Sequence, residues 1–472
     1  MQLDSDPASF SAMMDAVHPR LVAWLESLPD QPSHATDGAT DRLSGFREAL
    51  PERPGGLEPL LDRLFGDVIP FSFNTAGPGY LAFVPGGGLP SACIAELVAS
   101  VTNRYAGVWA AAPVAVEIET QVLRWLCELC GMPDGSLGIL TTGASMSNFI
   151  AAITAREAKL GPDLTGAVAY VPTEIHHCMT KALRIAGIPP DGIRAVPVDE
   201  RFRVRVDSLQ RMIADDRTQD RRPFMVCASA GTVNTGAVDP LDAIADLAEA
   251  EDLWFHIDGA YGATFYMVEE LQPPLAGMPR ADSLSLDPHK GLFLPYGTGA
   301  LLVKDLAALR AAHAADAAYL PPLNEGHQQI DFCNLSPELS RDWRGLRLWL
   351  PFHLHGVQAF RDALREKHQL AIQAADALAQ VPDVELAHAP ELSLFAFRQR
   401  LPGRPLAEEN AHNRDLIARI NATRRIMLTG TEIDGTYWLR ICVLHLRTHQ
   451  DRMDEAIDII RGCLAGPGPG RG

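Results

Sequence analysis

The chain has 472 residues, too many for one small domain, and its 47% hydrophobic and 21% charged content suits a folded protein with two or three cores. A formal charge of −18 excludes nucleic acid as the natural partner, because phosphate backbones are held by clustered Lys and Arg. No apolar run reaches the length of a membrane span, and MQLDSDPASFSAMMDAVHPR has neither the basic nor the apolar region of a secretory signal. Eight irregularly spaced cysteines point to reduced thiols, so a cytoplasmic protein is expected.

In chain order, residues 1–75 read as a helical arm. Met13 to Leu28 is amphipathic, Gln31 to Thr40 is a polar linker, and Gly56 to Phe65 is helical again. Such an arm cannot bury its own apolar face, which is expected against another domain or a second subunit. Phe71 to Pro90 is an aromatic, glycine-rich loop in which Tyr80, Phe83 and Pro85 could line a flat apolar pocket or equally pack on the core. Helices follow at Ser91 to Asn103 and Glu117 to Cys130. The Cys127/Cys130 pair lies on the second with no further pair to complete a metal site, so it reads as core and no metal is expected.

From Leu137 the pattern alternates strand and helix, the mark of an α/β fold with a mainly parallel sheet. LGILTTGASMSNFIAAITA (137–155) is an apolar strand running into a helix opened by Gly143, Ala144 and Ser145. Free N–H groups and the helix dipole at such a start suit a phosphate, but the segment is neither GxxxxGK[ST] nor GxGxxG, so no nucleotide is indicated. Strands are expected at Val168 to Val171, Phe224 to Ser229, Leu253 to Ile257 and Leu301 to Val303, with helices at Lys181 to Ala186 and Ile244 to Glu251. ADSLSLDPHKGLFLPYGTGA (281–300) carries Lys290, one of only five lysines, at a strand end between apolar residues. An amine desolvated in that way becomes nucleophilic. Ala308 to Asp331 is a long, weakly patterned connection of the kind that is functional or mobile. Leu346 to Arg365 opens a C-terminal part that closes with strand Tyr437 to Val443, helix Asp451 to Leu464 and a disordered Gly/Pro tail.

Ser145, His176, Thr232, Asp258 and Lys290 thus fall at strand C-terminal ends of one sheet, the edge where open α/β sheets bind ligands. A phosphate cradle, a carboxylate and a nucleophilic lysine together fit pyridoxal 5'-phosphate (PLP), which is held by a lysine Schiff base with an acid on its pyridine nitrogen. WFHIDGAYG (254–262), LDPHKGLFLPYGTG (286–299), TTGASMSN (141–148) and GTVNTGAVDPL (231–241) resemble motifs of the group II amino-acid decarboxylase family of fold type I. So does the stretch from GYLAFVPGGGLPSA (79–92) to NRYAGVWAAAPVAVEIE (103–119), and the resemblance runs from about Asn74 to Val443.

That resemblance implies a mainly parallel seven-stranded sheet with flanking helices, a dimer-forming helical arm (1–75), a large PLP-binding domain (76–345) and a small C-terminal α+β domain (346–472). It implies that Lys290 forms the Schiff base, that Asp258 keeps the pyridine nitrogen protonated, and that His176, or His177 in another register, stacks on the ring. Ala260 would back the opposite face. Ala144, Ser145 and His289 would hold the phosphate, Asp287 would join the cofactor-binding set, and Thr232 would lie near the cofactor or substrate carboxylate. The implied reaction is decarboxylation of an L-amino acid to the amine, in a homodimer with its active site at the subunit interface. Tyr80, Phe83 and Trp109 suggest an aromatic or bulky apolar substrate side chain.

Two positions depart from the family pattern. Aligned on Arg341, Arg344-Gly345-Leu346 and Trp349, the loop position where the family carries a proton-delivering tyrosine is Phe332, which has no proton to give. Oxidative decarboxylation–deamination to an aldehyde is therefore the alternative, unless His177 or Tyr319 supplies the proton. Gly291 follows the lysine where aromatic decarboxylases often have tryptophan, which loosens the inference about substrate. A non-catalytic PLP-fold protein is the third reading, against which the intact Asp258, Lys290 and His176 set argues.

Overall fold

The computed structural model describes residues 3–4, 6–314 and 329–466; Tyr319 and the tail after Gly466 lie outside them. Strands β1 (Leu137–Thr141), β2 (Ala167–Pro172), β3 (Ile193–Val196), β4 (Arg222–Ser229), β5 (Trp254–Asp258), β6 (Ser283–Leu286) and β7 (Gly299–Val303) form one sheet in the order β1-β7-β6-β5-β4-β2-β3. Pairing is parallel from β3 through β6, and only β7 runs against its neighbours β6 and β1. β1, β2, β4, β5 and β6 therefore end at the same edge. Strands β1, β2, β5, β6 and β7 are buried along their whole length, as expected of apolar runs covered by helices on both faces.

The expected elements are present with their ends extended, and two that the sequence pattern hid are added. β3 escaped notice because Arg194 interrupts it, and the helix Val206–Thr218 because it reads as polar. The two explain each other. The Arg194 guanidinium reaches the buried Asp216 at 2.5 Å, and Tyr170 Oη donates to the same carboxylate at 2.9 Å. The expected loop from Ala308 also starts as a helix, Leu306–His313, whose first turn is capped by Asp305 accepting from Ala307 N–H.

A second, antiparallel sheet contains β8 (Val384–Leu386), β9 (Leu394–Gln399), β10 (Thr429–Ile433) and β11 (Thr436–Cys442) in the order β10-β11-β9-β8. The helix expected to stop at Arg365 continues to Ala379, broken only at Gly356 (φ 72°, ψ 151°). Beyond Arg365, Lys367 is fully buried, with its ammonium donating to Thr448 O at 2.7 Å and to Glu366 at 2.6 Å. Leu348, Phe360 and Leu364 of this helix belong to the large core, and Leu370, Ala374 and Leu378 to the small one. Cys127 and Cys130 are buried in the large core. Among the described residues no helix is long and apolar enough to cross a membrane.

Two close backbone approaches bring the site together. A Cβ on Gly86 would sit 1.9 Å from His289 O, so the 71–90 loop lies directly on the lysine turn. A Cβ on Gly299 would sit 2.5 Å from Gly143 Cα, where β7 starts against the end of β1. Below that junction Arg341 and Glu119, both with fully buried side chains, pair at 2.8 Å. Arg341 Nη2 also donates to Leu140 O at 2.8 Å, and Glu119 Oε2 accepts from Gly345 N–H at 3.1 Å. Removing one charge from such a pair strands the other in the core. Glu119→Gln is expected to destabilise the protein by about 3–5 kcal/mol in urea unfolding. A loss of only about 0–1 kcal/mol would mean that the pair behaves as an exposed one.

Candidate active site

The shared strand edge opens into a cleft of about 450 Å³ lined by Ala144, Ser145, His176, Thr232, Asp258, Ala260, Asp287, His289, Lys290 and Phe83. Apart from Phe83, which comes from the 71–90 loop, they come from the ends of β1, β2, β4, β5 and β6, so one sheet edge gathers groups that are far apart in sequence. Lys290 sits on the helical turn Pro288–Gly291 just after β6, and Asp258 is the last residue of β5. Asp258 Oδ1 accepts from Ala260 N–H at 3.1 Å, and Oδ2 accepts from Asn148 Nδ2 at 2.9 Å.

The lysine differs from the desolvated amine that its sequence context suggests. Nζ is 3.0 Å from Asp287 Oδ2. Burial works against its charge, but the carboxylates of Asp287 and Asp258 outweigh burial and hold its pKa above the ordinary lysine value. The helix start differs as well. The Ala144 N–H that seemed free for a phosphate donates to Asp287 Oδ1 at 2.7 Å. One carboxylate thus caps the helix Ala144–Leu160 and neutralises the lysine.

His176 caps the next helix, its Nδ1 accepting from Cys178 N–H at 3.3 Å, which leaves its proton on Nε2. Burial lowers its pKa, so the ring is neutral near pH 7. His177 is exposed, and its ring centroid lies 4.2 Å from that of His176; only His176 lines the cleft. His289 Nδ1 donates to Thr298 O at 2.7 Å, with Nε2 3.6 Å from Asp287. Burial lowers its pKa too, so His289 can donate to a phosphate through Nε2 only once it is protonated. Thr232 is almost wholly buried, with its hydroxyl 3.0 Å from that of Thr235.

The 71–90 loop contributes less than its composition promised. Phe83 reaches the cleft with a left-handed backbone (φ 52°), held where Arg440 Nη2 donates to its carbonyl at 3.4 Å. Tyr80 and Pro85 are buried, and Tyr80 packs beneath Phe83 with ring centroids 6.5 Å apart. Trp109 is held outside the cleft, its N–H donating to Asp331 Oδ1 at 2.7 Å. Phe332 is fully buried, its ring 4.9 Å from the Arg341 guanidinium carbon, so it faces the core of its own chain and not the cleft. Tyr296, a phenol that the sequence reading passed over within LFLPYGTG, lines the cleft and is well exposed.

The site accommodates PLP by the chemistry of its donors: an amine, a second acid at the end of the neighbouring strand β5, a neutral imidazole and a helix start. The sequence profile described as "Pyridoxal-dependent decarboxylase conserved domain" matches residues 41–400. The chain belongs to this family and is a PLP-dependent carboxy-lyase. It is 34% identical over 436 residues to an aromatic-L-amino-acid decarboxylase of Bacillus atrophaeus, covering 92% of this chain and 91% of that protein. A phenylacetaldehyde synthase of Arabidopsis thaliana is 26% identical over 427 residues, covering 87% of this chain and 86% of the relative. Among solved structures, Catharanthus roseus tryptophan decarboxylase in complex with L-tryptophan superposes with a TM-score of 0.92 at 26% identity, covering 99% of this chain and all of that one.

The raised pKa of Lys290 has a measurable consequence. The amine must shed its proton before it can attack a carbonyl, so uptake of PLP by the apoprotein is expected to accelerate as pH rises through the Lys290 pKa. Asp287→Asn removes the nearest carboxylate and should move that midpoint to lower pH in stopped-flow absorbance. An unmoved midpoint would show that Asp287 does not set the charge of Lys290.

Proposed function

We propose that the protein decarboxylates an L-amino acid with an aromatic side chain to the amine, as a cytoplasmic homodimer. The observation that carries this reading is the convergence of Lys290, Asp258 and His176 on one cleft whose outer wall includes Phe83, Val84, Val233 and Tyr296. The Bacillus atrophaeus relative adds support for an aromatic substrate. When bound, PLP supplies a carbonyl for covalent attachment and a ring that withdraws electrons from Cα. Lys290 would provide the attaching amine, and the Asp258 carboxylate would balance the charge of the ring nitrogen. His176 and Ala260 would lie against the ring, Ser145 and His289 would hold the phosphate, and Thr232 would meet a carboxylate. Phe83 exposes its ring to the substrate in place of the buried Tyr80 and Pro85. The apolar wall excludes water and disfavours a carboxylate relative to neutral CO2. His176 Nε2–H and the Tyr296 hydroxyl are among the groups able to hold a proton at the cleft.

The second reading, oxidative decarboxylation–deamination to an aldehyde, is supported by the similarity to a phenylacetaldehyde synthase, whereas Phe332, buried against Arg341, does not reach the cleft of its own chain. The two are separated by products. With PLP and L-tryptophan, L-tyrosine, L-DOPA or L-phenylalanine in air, amine without peroxide is expected, and Lys290→Ala is expected to form neither. Aldehyde and peroxide formed in step, and falling in Phe332→Tyr, would replace the decarboxylase reading with the oxidative one.

The homodimer and the division into arm (1–75), large domain (76–345) and small domain (346–472) belong to the same proposal. The helix Pro7–Ser27 buries no side chain within its own chain and exposes Phe10, Leu21, Val22 and Leu25. The helix Pro90–Thr102 buries Ala92, Ala95 and Ala99 but leaves Ile94, Val98 and Val101 exposed as a second apolar stripe. Light scattering of the holoprotein is expected to give a dimer, and Val98→Asp with Val101→Asp to shift it toward monomer. A monomeric wild type would sink the assembly.

A further inference from the structure

Behind Asp258, on the side away from the cleft, four core groups form a continuous hydrogen-bonded line. Trp254 Nε1 donates to Ser283 Oγ at 2.8 Å, and Ser283 Oγ lies 2.8 Å from His256 Nδ1. His256 Nε2 is 3.1 Å from Asn148 Oδ1, and Asn148 Nδ2 donates to Asp258 Oδ2 at 2.9 Å. Asn148, His256 and Ser283 are fully buried, and none of them lines the cleft.

The chemistry of the two ends sets every orientation between them. An indole N–H can only donate and an ionised carboxylate can only accept. Asn148 must therefore turn its NH2 toward Asp258, and Nδ2 also lies 3.2 Å from Cys178 Sγ. Its carbonyl then faces His256, which requires the imidazole proton on Nε2. Nδ1 is left as an acceptor for the Ser283 hydroxyl, whose oxygen receives the Trp254 N–H. Burial, against the opposing pull of Asp258, lowers the His256 pKa to about 4, so the ring stays neutral and keeps that single tautomer.

We propose that Asn148, His256 and Ser283 are positioning residues for Asp258, holding its carboxylate oriented toward a protonated ring nitrogen in the cleft. The proposal rests on the reading of Asp258 as partner of the PLP pyridine nitrogen. Without the His256 Nε2–H the Asn148 oxygen is a buried acceptor with no donor, and the amide loses the partner that fixes its place beside Asp258. Asp258 then loses its fixed donor and can swing away, so that it no longer faces a pyridinium charge.

A purely structural role and a positioning role predict different ligand preferences. PLP and its 1-deaza analogue, which carries a ring CH in place of the nitrogen, are titrated into the apoprotein. Binding is read by absorbance and quenching of protein fluorescence, independently of turnover. Wild type is expected to prefer PLP. Asn148→Leu and His256→Phe should weaken PLP binding by about tenfold while leaving the analogue within about twofold, the size expected for one hydrogen bond to a charged group. His256→Gln, which can offer an N–H to Asn148 and a carbonyl to Ser283, should restore most of the preference, and Ser283→Ala should fall between. If His256→Phe fails to fold, Asn148→Leu and Ser283→Ala carry the comparison.

Equal loss of both ligands would reduce these residues to packing and overturn the proposal. A preference abolished by Asp258→Asn but untouched by the other variants would overturn it alone. A wild type without preference would overturn the Asp258 reading and this proposal together.

Discussion

The active-site edge depends on one carboxylate. Asp287 accepts the Ala144 N–H with one oxygen and the Lys290 ammonium with the other, tying the start of the helix Ala144–Leu160 to the turn after β6. A buried charge persists only where it is compensated, and here a helix N-terminus and an ammonium both compensate it. The tie also explains why β7 must begin with Gly299. The turn that carries Lys290 returns along β7 directly against Gly143, leaving no room for a side chain.

Around that tie the sheet does the gathering. Parallel strands joined by crossovers deliver each loop to the same edge, so Ser145, His176, Thr232, Asp258 and Lys290 arrive from five separate turns. The aromatic 71–90 loop then closes one side, because Gly86 allows its backbone onto the His289 carbonyl. Chemistry, recognition and water exclusion thus come from different segments that meet only in the folded chain.

The sequence made legible what is local. Asp258, Lys290 and His176 stand at strand ends with glycine, proline or turn residues beside them, and a strand-end reading finds them without tertiary knowledge. Groups defined by a partner elsewhere could not be read. Asn148 looks like an ordinary helix residue until His256 and Asp258 are seen on either side of it. Asp287 reads as a turn former, because its two partners are a backbone N–H about 140 residues earlier and the side chain three residues on. Lys367 and Arg194 broke the apolar pattern and hid a helix end and a strand, since burial of a charge depends on where its counter-group falls. Phe332 reads as a loop position facing substrate, whereas its burial under Arg341 is a tertiary fact.

The helix Leu346–Ala379 has a mechanical consequence. The part after Gly356 alone carries Phe360 and Leu364 into the large core and Leu370, Ala374 and Leu378 into the small one, so a load applied to the antiparallel sheet reaches the large core through helical hydrogen bonds and not through a slack connector. The single non-helical residue, Gly356, decouples the first ten residues of the rod from the remainder and confines any bending to one point. The small sheet is in this sense a counterweight on a jointed arm whose short end is embedded beside the lysine-bearing edge.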